Sequence, residues 1–174
     1  MTIFFTLIAI LQSFAISLGV GSSTLAVTNF FVAIADGSID PSERRMMGVV
    51  YIVLRIAMIA ILVTTLILIS KLYYATGFWS MSDFSVGQLF VIFVLFTNAM
   101  LMTMHKVPSN FGPAIQAGSW YTLGTLAALA SLGMTNFTLT EFFLGYVTWL
   151  VLTISVVNGI MAIQLGRRTG TVTK

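Results

Sequence analysis

The chain has 174 residues, of which 58% are hydrophobic and 7% are charged, and its mean hydropathy is +1.02. Soluble domains carry about 25% charged residues, so this composition excludes an ordinary soluble protein and indicates a membrane protein. The net charge of +3 does not indicate nucleic-acid binding, because most Lys and Arg residues flank apolar runs. With no cysteine in the sequence, disulfides, thiolate metal sites and cysteine nucleophiles are excluded.

Five apolar runs follow one another along the chain, and each is close to or above the length of about 20 residues that crosses a bilayer. They are Ile3–Ala35, Met46–Ser70, Gly87–Met104, Ala114–Met134 and Phe142–Leu165. We therefore predict one all-α integral membrane domain over residues 1–174, a bundle of five transmembrane helices.

The first run is longer than one membrane crossing requires. As a single helix its 33 residues would measure about 50 Å, against a bilayer core of about 30 Å. Two glycines and two serines at Gly19–Ser23 weaken a helix there. One long or kinked helix is the preferred prediction, and a break that gives six segments and moves the N-terminus inside is the alternative.

Three local patterns predict where helices begin. Asp40 is followed by Pro41 and Glu43, which is the pattern of a capping box with proline at the first helical position, so a helix should begin at Pro41. Thr138 and Glu141 have the same capping-box spacing before the last run. Gly112 with the proline after it indicates a break before the fourth run.

The distribution of basic residues predicts the orientation. Cytoplasmic loops are enriched in Lys and Arg, and here the basic residues gather in alternate connectors while the second connector has Lys71 alone. This places the N-terminus outside and the C-terminus in the cytoplasm. The residues on the predicted cytoplasmic side are Arg44, Arg45, His105, Lys106, Arg167, Arg168 and Lys174.

Arg55 is the only formally charged residue in the run Met46–Ser70. An arginine at the centre of a membrane helix costs about 2.5 to 3.5 kcal/mol on insertion scales, so such residues usually face a protein interior or a solute path. Arg55 lies ten residues, or about 15 Å, beyond Arg45, which predicts a position near the middle of the bilayer.

Polar residues recur near the same predicted depth in the other runs, namely Thr24, Asn98, Thr125 and Asn158. Small and hydroxyl residues also share one face of the first helix, and a second stripe of small residues follows the fourth helix. We expect both stripes to pack inward. The first stripe is Ser13, Ser17, Gly21, Thr24 and Thr28, and the second is Ala117, Gly124, Ala128 and Ser131.

Together these features predict a transporter or channel for a small polar or anionic solute. Arg55 would attract the solute, because no acidic residue lies within any run to neutralise it. The predicted binding residues are Arg55, Asn98, Asn158, Thr24, Thr28, Ser17 and Thr125. The predicted partners are the lipid bilayer, the solute, and further copies of the chain or other membrane subunits, with no nucleic acid.

A structural role for the same residues is the alternative. Asn, Ser and Thr side chains also hold helices together by hydrogen bonding. Arg55 would then extend its side chain to the membrane surface, donate to carbonyls at a break near Gly19–Ser23, or pair with an acidic residue of a partner. The protein would be a non-catalytic subunit or assembly factor of a larger membrane complex.

Neither a metal site nor a catalytic site is predicted. Met100, Met102, Met104 and His105 are potential soft metal ligands, but Met102 points away from the helical face that Met100 and Met104 share, so packing explains them better. The sequence has no paired carboxylates within the apolar runs, no histidine near a nucleophile, and no phosphate-binding glycine loop after a strand. We therefore expect no cofactor and no enzymatic activity.

Overall fold

The computed structural model of the protein describes residues 3–36, 40–77, 81–108 and 111–171, and all regular structure within these ranges is α-helical. The elements in chain order are α1 (Ile3–Asp36), α2 (Pro41–Thr76), α3 (Asp83–Thr103), α4 (Gly112–Ser131) and α5 (Leu139–Thr171). The predicted all-helical membrane bundle is thereby confirmed. Of the basic residues used to predict orientation, Lys174 lies outside the described residues.

Four of the five helices are long and apolar enough to cross a membrane. Their spanning segments are Ile3–Val32, Pro41–Tyr74, Asp83–Thr103 and Leu139–Ile163. α4 is more polar, yet nine of its 20 residues are buried, and it packs against α1, α3 and α5. Its polar residues are tolerated because much of the helix faces protein rather than lipid.

α1 is one continuous helix of 34 residues, so the preferred prediction for the first run is confirmed and the six-segment alternative is wrong. Gly19 serves a packing role instead of breaking the helix. The Trp120 ring of α4 lies directly against it, at the place that a Cβ atom would occupy. Glycine therefore lets α1 and α4 approach closely.

The predicted helix starts are confirmed by their hydrogen bonds. Asp40 accepts from the backbone N–H of Glu43 at 2.7 Å, while the Glu43 carboxylate accepts from the backbone N–H of Asp40 at 3.0 Å. Thr138 and Glu141 form the equivalent pair of bonds at the start of α5. α4 begins at Gly112. Each bond satisfies an amide donor that a helix start otherwise leaves unpaired.

The helices fall into two length classes. α1, α2 and α5 have 34, 36 and 33 residues, whereas α3 and α4 have 21 and 20. The difference is about 20 Å at about 1.5 Å per residue. Ala114, near the start of α4, packs with Val157 and Met161 of α5 and with Phe30 of α1. The three long helices therefore extend past the end of the bundle where α3 ends and α4 begins, which we name the connector end.

The main core lies between these helices, away from the connector end. Ile61, Leu95 and Trp120 are fully buried, and they come from α2, α3 and α4. Phe142 and Tyr146 add α5 to the same cluster. This packed apolar layer fixes the relative positions of the helices that line the cavity described below.

The predicted inward orientation of the α1 stripe is wrong. Its residues are exposed, and the buried face of α1 carries Ala15, Gly19 and Ser23 instead. The outward-facing hydroxyls still have hydrogen-bond acceptors, because each donates to the backbone carbonyl four residues earlier in its own helix. These donors are Ser13, Ser17, Thr24 and Thr28, at 2.8 to 3.1 Å. The α4 stripe is divided, with Ala117 buried and Ala128 and Ser131 exposed.

Candidate functional site

Arg55 lines a cavity of about 270 Å³ between α1, α2, α3 and α4, which we name the Arg55 cavity. Its polar groups are the side chains of Arg55, Tyr51, Gln116, Ser23 and Thr103. The remaining walls are apolar side chains. They are Ala26, Val27, Phe30, Leu54, Met58, Ala99, Met102 and Pro113.

Within the described ranges, Arg55 is the only formally charged residue in the cavity lining, and no hydrogen bond or ion pair to it is found there. Its side chain is exposed, although it belongs to a membrane-spanning helix. A guanidinium has five donors in a fork that matches a carboxylate or phosphate. The cavity therefore presents an unpaired cationic group beside neutral hydroxyl and amide groups.

The structure places Arg55 closer to one end of the bundle than the sequence estimate did. Met102 and Thr103, which share its cavity, belong to the last turn of α3, and Pro113 belongs to the first turn of α4. The estimate took Arg45 as the membrane boundary, but α2 begins at Pro41, about 21 Å before Arg55. Arg55 is thus level with the ends of α3 and α4 and not with their middle.

Asn98 does not line the cavity itself but holds Gln116, which does. Its side-chain amide donates to Gln116 Oε1 at 2.9 Å and to the carbonyl of Gly112 at 2.9 Å. Gln116 in turn places its Nε2 3.6 Å from the Met58 sulfur. Because Asn98 and Gln116 are 5% and 6% exposed, their bonds form in a low-dielectric environment and fix the amide that faces the cavity.

Three predicted binding residues on α1 lie apart from Arg55. Thr24 Oγ1 lies 2.7 Å from the Tyr121 hydroxyl, which joins α1 to α4. Ser17 and Thr28 are exposed, and each donates to its own helix. The α1 residue that does share the cavity with Arg55 is Ser23, on the opposite face from the predicted stripe.

The last two predicted residues also lie elsewhere. Asn158 is half-buried on α5, which contributes no described residue to the lining of the Arg55 cavity. Thr125 lines a second cavity, of about 430 Å³, between α4 and α5. The polar residues predicted at one depth therefore do not form a single site. Arg55 and Asn98 lie around one cavity, and Thr125 lines another.

Sequence reasoning missed four polar residues of the Arg55 cavity, namely Gln116, Ser23, Tyr51 and Thr103. Gln116 could have been identified from the sequence, because it is a polar amide in an apolar run, as Asn98 is. Tyr51 stands one helical turn before Arg55 and shares its face. No sequence signal separated Ser23 from the other hydroxyl residues of α1.

The described residues include no group of three or more His, Asp or Glu side chains placed to hold a metal ion. Comparison with protein-family models, with curated proteins and with solved structures finds no match for this chain.

Proposed function

We propose that this small integral membrane protein binds a small organic anion in the Arg55 cavity and carries it across the membrane. The observation that carries the proposal is the unpaired Arg55 guanidinium in an otherwise uncharged cavity. A cation in that position attracts an anion, and the hydroxyls of Tyr51 and Thr103 with the amide of Gln116 supply further hydrogen bonds.

The walls of the cavity indicate the kind of anion. Apolar side chains form most of the lining, and a few polar groups are grouped with Arg55, as in typical small-molecule sites. The volume of about 270 Å³ is slightly below the usual range of about 300 to 1,000 Å³ for ligand pockets. A carboxylate with a short apolar body fits both the size and the chemistry.

The packed core favours a carrier over an open channel. Ile61 is one helical turn beyond Met58 on α2 and is 0% exposed, and Leu95 and Trp120 are equally buried. A solute in the Arg55 cavity would have to cross this layer, which requires the helices to rearrange. Carriers work in this way: the binding site is open to one side of the membrane, and a rearrangement of the helices then opens it to the other side.

Binding is tested by the thermal stability of the purified protein in detergent. A ligand that binds the folded state raises the melting temperature. We expect one or more members of a panel of small carboxylates and phosphates to do so for the wild type and for Arg45→Leu, which removes an exposed arginine from the same helix. Arg55→Leu should lose the effect and Arg55→Lys should keep part of it. An equal effect in Arg55→Leu would contradict the proposal.

The second candidate function is a non-catalytic subunit of a larger membrane complex. It is favoured by exposed apolar side chains one turn before and one turn after Arg55 on the same face of α2, namely Ile52 and Ile59. A partner helix on that surface could bring a carboxylate to Arg55. Gentle purification distinguishes the two, since co-purification with other chains at a fixed ratio supports a subunit, whereas a preparation of this chain alone that binds anions supports a carrier.

A further inference from the structure

A second cavity, of about 430 Å³, lies between α4 and α5, and the Arg55 proposal does not involve it. We name it the α4–α5 groove. It opens toward the outside of the bundle, because Thr125, Gly145 and Trp149 in its lining are exposed. It follows α5 from Glu141 to Trp149, a distance of about 12 Å along the helix.

The groove has one charged end and a long apolar body. Glu141 is the only formally charged residue among the described lining residues, and it belongs to the first turn of a membrane-spanning helix. Leu126, Leu129 and Phe142 are among the residues that continue the lining away from it. An occupant must therefore be elongated and apolar, with a cationic group at the level of the helix start.

The Glu141 carboxylate retains an oxygen for such a cation. Both bonds that it accepts from Thr138, from the backbone N–H at 2.8 Å and from the hydroxyl at 3.0 Å, end on Oε2. Among the described residues, none donates to Oε1. The capping bonds hold the carboxylate in place and leave the second oxygen without a donor among the described residues.

We propose that the α4–α5 groove binds a membrane phospholipid with an ammonium headgroup, such as phosphatidylethanolamine. The ammonium group pairs with Glu141, and an acyl chain lies along the apolar body of the groove. Charge complementarity selects this lipid over an anionic one, and the helix start places the carboxylate at the depth of lipid headgroups.

Two glycines of α5 provide a matched pair of variants. A side chain added at Gly145 meets no atom within 4 Å, so Gly145→Leu fills the groove without disturbing the helix packing. Gly159 has equally open surroundings but does not line the groove. Glu141→Gln removes the charge and keeps the capping geometry, since glutamine also suits that position of a capping box.

The test is native mass spectrometry of protein released from nanodiscs that contain equal amounts of phosphatidylethanolamine and phosphatidylglycerol. A surface ion pair is expected to favour the ammonium lipid by up to about fivefold. We expect that preference for the wild type and for Gly159→Leu, an equal ratio for Glu141→Gln, and less bound lipid of either kind for Gly145→Leu. The melting temperature of each variant shows that it is folded.

Three results would overturn the proposal. They are an unchanged lipid ratio in Glu141→Gln, unchanged lipid binding in Gly145→Leu, and a loss of dimer in Gly145→Leu without a change in bound lipid. The last result would show that a second copy of the chain occupies the groove.

Discussion

At the scale of single residues, Arg55 and Asn98 have different roles. Arg55 is exposed and faces the cavity, whereas Asn98 is buried and makes its bonds to Gln116 and to the Gly112 carbonyl. Asn98 is therefore a positioning residue that acts through Gln116. Counting residues along the sequence placed both near one depth. It could not tell a residue that lines the cavity from one that positions another residue, because that depends on how each helix is rotated.

Replacing Asn98 with alanine should destabilise the fold. The change leaves Gln116 Oε1 without the donor that Asn98 supplies inside the bundle, and an unsatisfied buried polar group costs about 1 to 3 kcal/mol. Asn158→Ala is the control, because Asn158 is only half-buried. Thermal unfolding in detergent should show a clear drop for Asn98→Ala and a smaller one for Asn158→Ala. Equal drops would contradict the supporting role of Asn98.

Two glycines of α1 should respond in opposite ways to alanine. At Gly19 a Cβ atom would overlap the Trp120 ring, which is fully buried and cannot move aside, so overpacking should cost about 1 to 3 kcal/mol. At Gly21 a Cβ atom meets nothing within 4 Å, and alanine should stabilise the helix by up to about 1 kcal/mol. Melting temperatures measured side by side test this contrast, and a tolerated Gly19→Ala would contradict the observed packing.

At the scale of helices, α1 carries an exposed stripe of small and hydroxyl residues. Gly21 lies between Ser17 and Thr24 on it, and small residues at such spacing allow membrane helices to associate. The predicted association of copies of the chain stays a prediction, and this stripe is where we expect the copies to pair.

Gly21→Leu should weaken that pairing without harming the single chain, because the added side chain points into open space. Gly48→Leu on α2, which also has open surroundings, is the control. Energy transfer between donor-labelled and acceptor-labelled protein in liposomes should fall for Gly21→Leu alone. If transfer is the same in all three proteins, α1 does not form the interface.

The helices themselves were largely predictable from the sequence, and their faces were not. Long apolar runs and capping residues such as Asp40 and Thr138 define where helices lie, because length and capping are local properties. The inward face of α1 depends on the fit of Gly19 against Trp120, a contact between residues far apart in the chain. The hydroxyl stripe misled the prediction because each hydroxyl is satisfied within its own helix.

At the scale of the whole molecule, three long helices extend past two short ones at the connector end. α3 measures about 31 Å at about 1.5 Å per residue, close to the thickness of a bilayer core. We propose that α3 crosses the membrane core from end to end, which would place Arg55, level with the last turn of α3, near a membrane boundary. The cost of charge is lower there than at the centre, and the long side chain can reach water. In the proposed carrier, a site at this level would be open to one side of the membrane.

The position of Arg55 could not be predicted because it depends on unequal helix lengths. Sequence reasoning counted ten residues from the inner end of every run, but the long helices extend past the ends of α3 and α4. The inference from a lone arginine without an intramembrane acid to an anionic ligand stays a prediction. The residues that share the cavity with Arg55, Gln116 above all, could not be identified from the sequence, because they depend on the packing of α4 against α2 and α3.

Anion uptake into proteoliposomes tests the central claim most directly. Wild-type protein, Arg55→Lys, Arg55→Leu and Arg45→Leu would be reconstituted at equal density, and uptake of radiolabelled small carboxylates would be measured. We predict that Arg55→Leu lowers uptake about tenfold, which corresponds to a loss of about 1.4 kcal/mol, while Arg45→Leu leaves uptake unchanged and Arg55→Lys is intermediate. Equal uptake by wild type and Arg55→Leu across a broad panel of anions would contradict the account.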